Sequence, residues 1–157
     1  MVRLEKMSKH DFHDYLPNAI AEYANQKVKA GTWREKEALN LSKESFAKLL
    51  PNGVNTENHY LFSIIEPINQ IKIGYLWFQC FDSLAAKTAF INDFYIFEEF
   101  RGKGYGTQAM EALDAEVRKL QVSKITLHVF SHNKRAIALY QKAGFEDTDL
   151  IMAKYVR

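Results

Sequence analysis

Three glycines at alternate positions constrain this chain more than any other feature: Arg101-Gly102-Lys103-Gly104-Tyr105-Gly106-Thr107. The run before them, Thr88 to Phe97, is aromatic and β-branched, as strands are. After Gly104 the apolar residues shift to helical spacing, with Ala109, Met110, Leu113, Val117 and Leu120 on one stripe. The sequence therefore predicts a strand, a tight turn and a helix. Glycine bends without a Cβ penalty and lets the backbone approach a ligand closely. The first amides of a helix have no intrahelical partners, and with the helix dipole they make an anion site suited to phosphate. Arg101 and Lys103 add positive charge, which a plain connection would not need.

Two nucleotide-binding motifs compete for this turn. Gly104-x-Gly106-x-x-Ala109 formally fits the GxGxxG/A dinucleotide fingerprint. That fingerprint belongs to a first parallel βαβ unit with an acid about 20 residues on. The next strand here, Ile125 to Phe130, carries no carboxylate, and the preceding one sits in an apparently antiparallel set. A GxxxxGK[ST] phosphate loop does not occur.

The rest of the chain reads as follows. Val2 to Lys6 alternates as a short strand, and Ser8 opens a helical segment with Phe12, Leu16, Ala19, Ile20, Tyr23 and Ala24 at three- and four-residue spacing. Pro17 is expected to kink that helix or to mark its start, and Gly31 to end it. A second helix spans Trp33 to Leu50 and ends at Pro51-Asn52-Gly53. Strands follow over His59–Glu66, Ile71–Phe81 and Thr88–Phe97, with short polar connections that favour antiparallel pairing. After the glycine turn and its helix come a strand over Lys124–Phe130, a helix over Asn133–Ala143 stopped by Gly144, and a last strand over Phe145–Val156. The order is β-α-α-β-β-β-α-β-α-β, an α+β sheet with packed helices. At 157 residues this is a single domain, residues 1–157.

Composition excludes several classes. The net charge of +2 lacks the basic excess of a dedicated nucleic-acid binder. The single Cys80 rules out a disulfide framework and a thiolate zinc site. No apolar run approaches the roughly 20 residues of a membrane span, and the polar N-terminus has no secretory apolar region. The expectation is a cytoplasmic protein with no nucleic-acid or membrane partner and no metal.

With the glycine turn, Arg101-Gly102-Lys103-Gly104-Tyr105-Gly106, the chain carries [RQ]-x-x-G-x-[GA]. About thirty residues on stands a strand, an Asn, a short helix with a Tyr and Gly-Phe: Leu127 to Phe130, Asn133, Tyr140 and Gly144-Phe145. In these two motifs and in its element order the chain resembles the GCN5-related N-acetyltransferase (GNAT) family over essentially its whole length. The resemblance implies a mixed, mostly antiparallel central sheet with helices on both faces. It implies an N-acetyltransferase that moves an acetyl group from acetyl-CoA to a primary amine of a small molecule or peptide, by direct attack in a ternary complex. A non-catalytic acyl-CoA-binding or sensing domain on the same fold is the alternative, since fold does not fix chemistry.

By that resemblance, the amides of Arg101, Gly102, Lys103, Gly104, Tyr105, Gly106 and Thr107 hold the CoA pyrophosphate. The strand ending near Ile96 and Phe97 pairs with the pantetheine arm. Asn133 either caps its helix or bonds the CoA arm, or does both. Tyr140 is either a core residue or the acid that protonates the departing thiolate; a phenol stays protonated at neutral pH. Relatives often carry a Glu base on the strand before the turn, but Phe90 to Ile96 has none. Asp93 is the nearest carboxylate, and Asn92 occupies one position where that Glu is often found. Asp93 is either the base or a structural carboxylate, with the amine losing its proton to water. Strand alternation puts Asp93 on the face opposite Asn92 and Phe94.

Other groups read more plainly. His10, Asp11, His13 and Asp14 at a helix start are expected as caps and solvated side chains. His128 is expected as packed or hydrogen-bonded, Cys80 as a buried small hydrophobe, and Glu98 and Glu99 as solvent-facing. Glu22, Tyr23, Trp33, Glu35 and Glu37 lie where the family varies its acceptor site, and surface or packing roles suit them equally. The reading leaves room for a homodimer.

Overall fold

A computed structural model describes residues 1–156. The elements are β1 (Arg3–Lys6), α1 (Lys9–Lys29), α2 (Glu35–Leu49), β2 (His59–Glu66), β3 (Ile71–Asp82), β4 (Lys87–Ile96), α3 (Tyr105–Lys119), β5 (Lys124–Leu127) and α4 (Lys134–Lys142). The strands form one sheet in the order β1-β2-β3-β4-β5. The first three pairings are antiparallel, and β4 with β5 is parallel.

Helices cover both faces, as the alternation of the strands requires. Leu76 and Phe78 point to one side, where Ala109, Met110, Leu113 and Val117 of α3 join them. Trp77 points to the other, against Tyr15 and Ala19 of α1 and Phe46 of α2. The α3 stripe is as the sequence predicts, with Leu120 only partly buried.

Helix ends follow local chemistry. Ser8 caps α1: its hydroxyl accepts from the Asp11 amide at 3.0 Å, and the Asp11 carboxylate accepts from the Ser8 amide at 3.3 Å. Asp11 also receives Lys72 at 2.8 Å. The helix runs through Pro17 and ends at Ala30, before Gly31.

Two expectations need correction. The strand expected to reach Phe130 stops at Leu127, where pairing with β4 ends. The strand expected over Phe145–Val156 does not form: residues 146–156 pair with no strand among the described residues.

Leu113 is 1% exposed at the centre of the α3 interface. Leu113→Ala is expected to cost about 2–5 kcal/mol, by lost transfer energy and a residual cavity. A thermal-denaturation midpoint lowered by about 4 °C or more would meet this expectation; an unchanged midpoint would contradict the packing described.

Candidate active site

The site begins with a backbone irregularity. Trp77 of β3 lies opposite Asp93 and Phe78 lies opposite Ile91, so Asn92 is an extra residue without a partner. Such a bulge bends a strand and increases its twist. On the other edge of β4, pairing with β5 ends at Ile91 opposite Leu127, while β4 continues to Ile96. The two strands part where the bulge sits. From Asn92 to Ile96, β4 has an edge facing the gap with no strand on it. A cleft of about 960 Å³ opens there, lined by β4, α1, α2, the glycine turn, α4 and the segment after β5.

At one end stands the glycine turn. Gly102 and Gly104 have φ of +75° and +85°, values that side-chain-bearing residues rarely adopt. A Cβ at Gly104 would point into open space. No side chain caps α3, and its first amide with a backbone partner is Gln108, bonded to the Gly104 carbonyl at 3.2 Å. Among the described residues the Tyr105, Gly106 and Thr107 amides have no hydrogen-bond acceptor. This cradle suits a polyanion. Arg101 braces it: its Nε donates to the Ile96 carbonyl at 2.8 Å, and its guanidinium lies 5.1 Å from the Tyr95 ring. Gly106 differs from the other two, because a Cβ there would press on Leu139 of α4 at 3.2 Å.

Asp93 and Tyr140 both line the cleft. Asp93 accepts from the Tyr15 hydroxyl at 2.5 Å. Burial pushes its carboxyl up to about 6; the nearby Glu22 charge adds to the shift, while hydrogen bonds from Tyr15 and the Phe94 amide oppose it. Tyr140 packs against Phe94 and Phe145, with ring centroids at 6.3 and 5.6 Å. Burial, and secondarily the Asp93 charge, raise its phenol above the usual value. The Oδ1 of Asn92 is buried without a partner. The Asn133 side chain caps α4, accepting from the Ala136 amide at 3.2 Å.

A model of the acetyltransferase (GNAT) family matches residues 25–145, which include every element of this cleft except α1 before its last five residues. The chain belongs to the GNAT family. An uncharacterized N-acetyltransferase of Bacillus subtilis, YycN, is 42% identical over 98% of this chain and 97% of its own. A crystal structure of YycN superposes with a TM-score of 0.95, covering 100% of this chain and 99% of the other. YdgE, a second uncharacterized N-acetyltransferase of B. subtilis, is 36% identical over 96% of each chain. The B. subtilis spermine/spermidine N(1)-acetyltransferase is 37% identical over a shorter stretch, 36% of this chain and 38% of its own. The chain is thus an acyltransferase of the GNAT family.

The GNAT cleft gathers most, but not all, of the residues singled out from sequence. Asp93, Ile96, Arg101, Gly102, Gly104, Gly106, Thr107, Asn133 and Tyr140 line it. Phe97, Lys103 and Tyr105 do not. Phe97 turns to the Tyr75 ring, Lys103 lies over Phe100, and the Tyr105 side chain packs on the α3 side of the core. Of the acceptor-site candidates Glu22 and Tyr23 line the cleft, whereas Trp33, Glu35 and Glu37 lie off it. His128 lines the cleft beside Phe130; burial and Lys27 lower its pKa. Cys80 is buried.

Three contributions escaped the sequence reading. Tyr15 is 2% exposed and meets a residue 78 positions away. It lies three residues after Phe12 and four before Ala19, so it belongs on their helical stripe. Arg135 brings a guanidinium beside Gly102, 3.8 Å from where a Cβ would lie. Gln26 of α1 bonds His132, in the turn before α4, at 2.6 Å and joins the two walls of the cleft.

The two glycine positions should respond differently to substitution. Gly104→Val places a side chain into the open cradle and is expected to abolish CoA binding in calorimetry. Both variants are expected to lower the melting temperature, by different routes: Gly104→Val through backbone strain at φ +85°, Gly106→Val through pressure on the Leu139 side chain of α4. Unchanged CoA affinity in a folded Gly104→Val variant would locate the anion site elsewhere.

Proposed function

We propose that this GNAT enzyme transfers acetyl from acetyl-CoA to a primary amine, of a small molecule or a peptide, by direct attack in a ternary complex. The observation that carries the reading is the convergence of three features on one cleft: the free amides at the start of α3, the unpaired β4 edge, and Asp93 with Tyr140 between them.

Each feature answers a requirement of the reaction. Acetyl-CoA supplies an activated acetyl group and carries a pyrophosphate that needs donors. The amides of Tyr105, Gly106 and Thr107 suit that pyrophosphate, with Arg101 and Arg135 nearby. The β4 edge from Asn92 to Ile96 suits an extended amide-bearing arm, which can add to it as a strand does. Backbone donors at the parted strands would stabilise the charge on the attacked carbonyl oxygen. Holding both reactants in one cleft makes the attack effectively unimolecular.

An ammonium group must lose a proton to become a nucleophile. Asp93 receives it in this reading: with a pKa of about 6 it is ionised at neutral pH, yet more basic than an ordinary carboxylate. Tyr140 delivers a proton to the departing thiolate. Its raised pKa keeps the phenol protonated until the sulfur develops charge. The carboxylates of Glu22 and Asp93 suit a cationic acceptor. This accords with the amine acceptors in the names of distant relatives, thialysine and spermine or spermidine.

Tyr140→Phe is expected to keep CoA affinity and lower kcat by about 10²–10⁴-fold. Wild-type kcat in single-turnover measurements would remove Tyr140 from the chemistry.

The pH dependence tests the base. Asp93 must be deprotonated to act, so kcat/KM for the amine should fall as pH drops through about 6. Asp93→Asn should lower kcat/KM and remove that limb, leaving only the ionisation of the substrate. Tyr15→Phe removes a hydrogen bond that favours the carboxylate, so the limb should move to higher pH. A profile of Asp93→Asn matching wild type in shape and height would assign the proton to water instead.

A further inference from the structure

The α1 wall of the cleft carries charges of both signs, and they differ in what already holds them. Ala19, Glu22, Tyr23, Gln26 and Lys27 recur at three- and four-residue spacing and line the cleft. Five residues turn an α-helix through about 140°, so Glu22 and Lys27 stand on opposite flanks of that stripe. The Glu22 carboxylate accepts from the Gln26 side-chain amide at 3.0 Å, and the Gln26 carbonyl oxygen meets the His132 ring at 2.6 Å. The half-buried Lys27 has no such anchor. Its ammonium lies 5.5 Å from the centre of the Tyr23 ring and 5.4 Å from that of Trp33, two rings set at right angles. No carboxylate among the described residues pairs with it.

The other cations of the cleft are placed differently. Arg101 donates to the Ile96 carbonyl and Arg135 stands beside Gly102, both at the glycine turn. Lys29 shares the last turn of α1 with Lys27 and Lys142 ends α4, where a cation complements the helix dipole, but both are exposed. Lys27 alone is withdrawn from water and laid over rings. Across the cleft stands His128, whose pKa is lowered by burial and then by the Lys27 charge; a neutral imidazole there still offers one N–H to an anion. The spacing is informative. Lys27 follows Tyr15, which holds Asp93, by twelve residues, a rise of about 18 Å. Its side chain leans back one turn onto Tyr23, which brings the ammonium to roughly 12 Å from the level of Tyr15. With about 3 Å for each polar contact, roughly 6–12 Å remains between a nitrogen at Asp93 and an acid at Lys27.

We propose that the acceptor is an amine that also carries a carboxylate at the far end of an extended chain, and that Lys27 holds this acid while Asp93 faces the amine. The inference rests on the acetyl-transfer reading and narrows its acceptor. The sign of each charge sets the orientation of such a molecule. Asp93 and Glu22 draw the ammonium and repel the acid, and Lys27 does the reverse. An acid on the carbon next to the reacting nitrogen is too close to span the two positions. A bare alkylamine reaches Asp93 but leaves the Lys27 ammonium without a counter-charge, and so forfeits a charge-assisted hydrogen bond.

The test compares acceptors that differ by one group, with release of the CoA thiol from acetyl-CoA as the readout. The wild type is expected to use 6-aminohexanoate with a kcat/KM about 10-fold or more above that of hexylamine, mainly through KM. Glycine, whose acid lies beside its amine, should gain nothing from Lys27. Lys27→Met keeps an apolar stem over the rings and removes the charge. It should bring the ratio of 6-aminohexanoate to hexylamine close to one while CoA affinity is kept. Lys27→Glu should reverse the preference, so that 1,6-diaminohexane overtakes 6-aminohexanoate. A purely structural Lys27 would shift the melting temperature and all acceptors together and leave these ratios unmoved. Two outcomes overturn the inference and leave acetyl transfer standing. One is a wild type that uses hexylamine or 1,6-diaminohexane as well as 6-aminohexanoate. The other is a preference for 6-aminohexanoate that survives Lys27→Met in a variant with wild-type circular dichroism. Absence of thiol release with these amines, and with polyamines and lysine-bearing peptides besides, would overturn the acetyl-transfer reading and this inference with it.

Discussion

The site depends on β4 leaving β5 at Ile91. Two parallel strands normally stay paired for as long as both continue, since an unpaired edge forfeits hydrogen bonds. Here the extra residue Asn92 bends β4 just where pairing ends, and β5 stops at Leu127. The gap this leaves lets the start of α3, one side of α4 and the inner face of α1 look onto one space. A straight β4 paired to Ile96 would close that space and cover its edge. The sheet gives up a few ladder bonds there, and gains a groove whose wall is backbone.

The electrostatics of the cleft follow from what surrounds the gap. Asp93 lies opposite Trp77, on the face covered by α1 and α2, and is withdrawn from water. Burial alone would push a carboxylate toward its neutral form. The Tyr15 hydroxyl and the Phe94 amide hold it partway, at a value useful near neutral pH. Tyr140 approaches from the opposite helical layer, and burial raises its phenol in the same direction, so that it keeps its proton.

Much of this was legible in the sequence. The aromatic and β-branched composition of His59–Glu66 predicted a strand with those same bounds, and the α3 stripe placed four of its five residues in the core. The geometry of the glycine turn was legible too, because positive φ and a helix start without a side-chain cap follow from residue type. Alternation also put Asp93 and Phe94 on opposite faces, as the packing has them. The bulge was not legible: a one-residue slip in register leaves no mark in composition. Nor was the Tyr15–Asp93 bond, which joins residues brought together only when α1 packs on the sheet. The terminal strand failed for a related reason. Its residues have strand composition, but a strand also needs a partner, and among the described residues the segment pairs with none.

The central claim is that the gap between β4 and β5, capped by α3, is where the acyl donor lies. Backbone amide shifts in a two-dimensional NMR titration with CoA test it most directly. The account predicts the largest shifts at Tyr105, Gly106 and Thr107 and along Asn92–Ile96, with slowed exchange of those amides in the complex. Saturable CoA binding that leaves both segments unmoved, while shifting amides elsewhere, would contradict it.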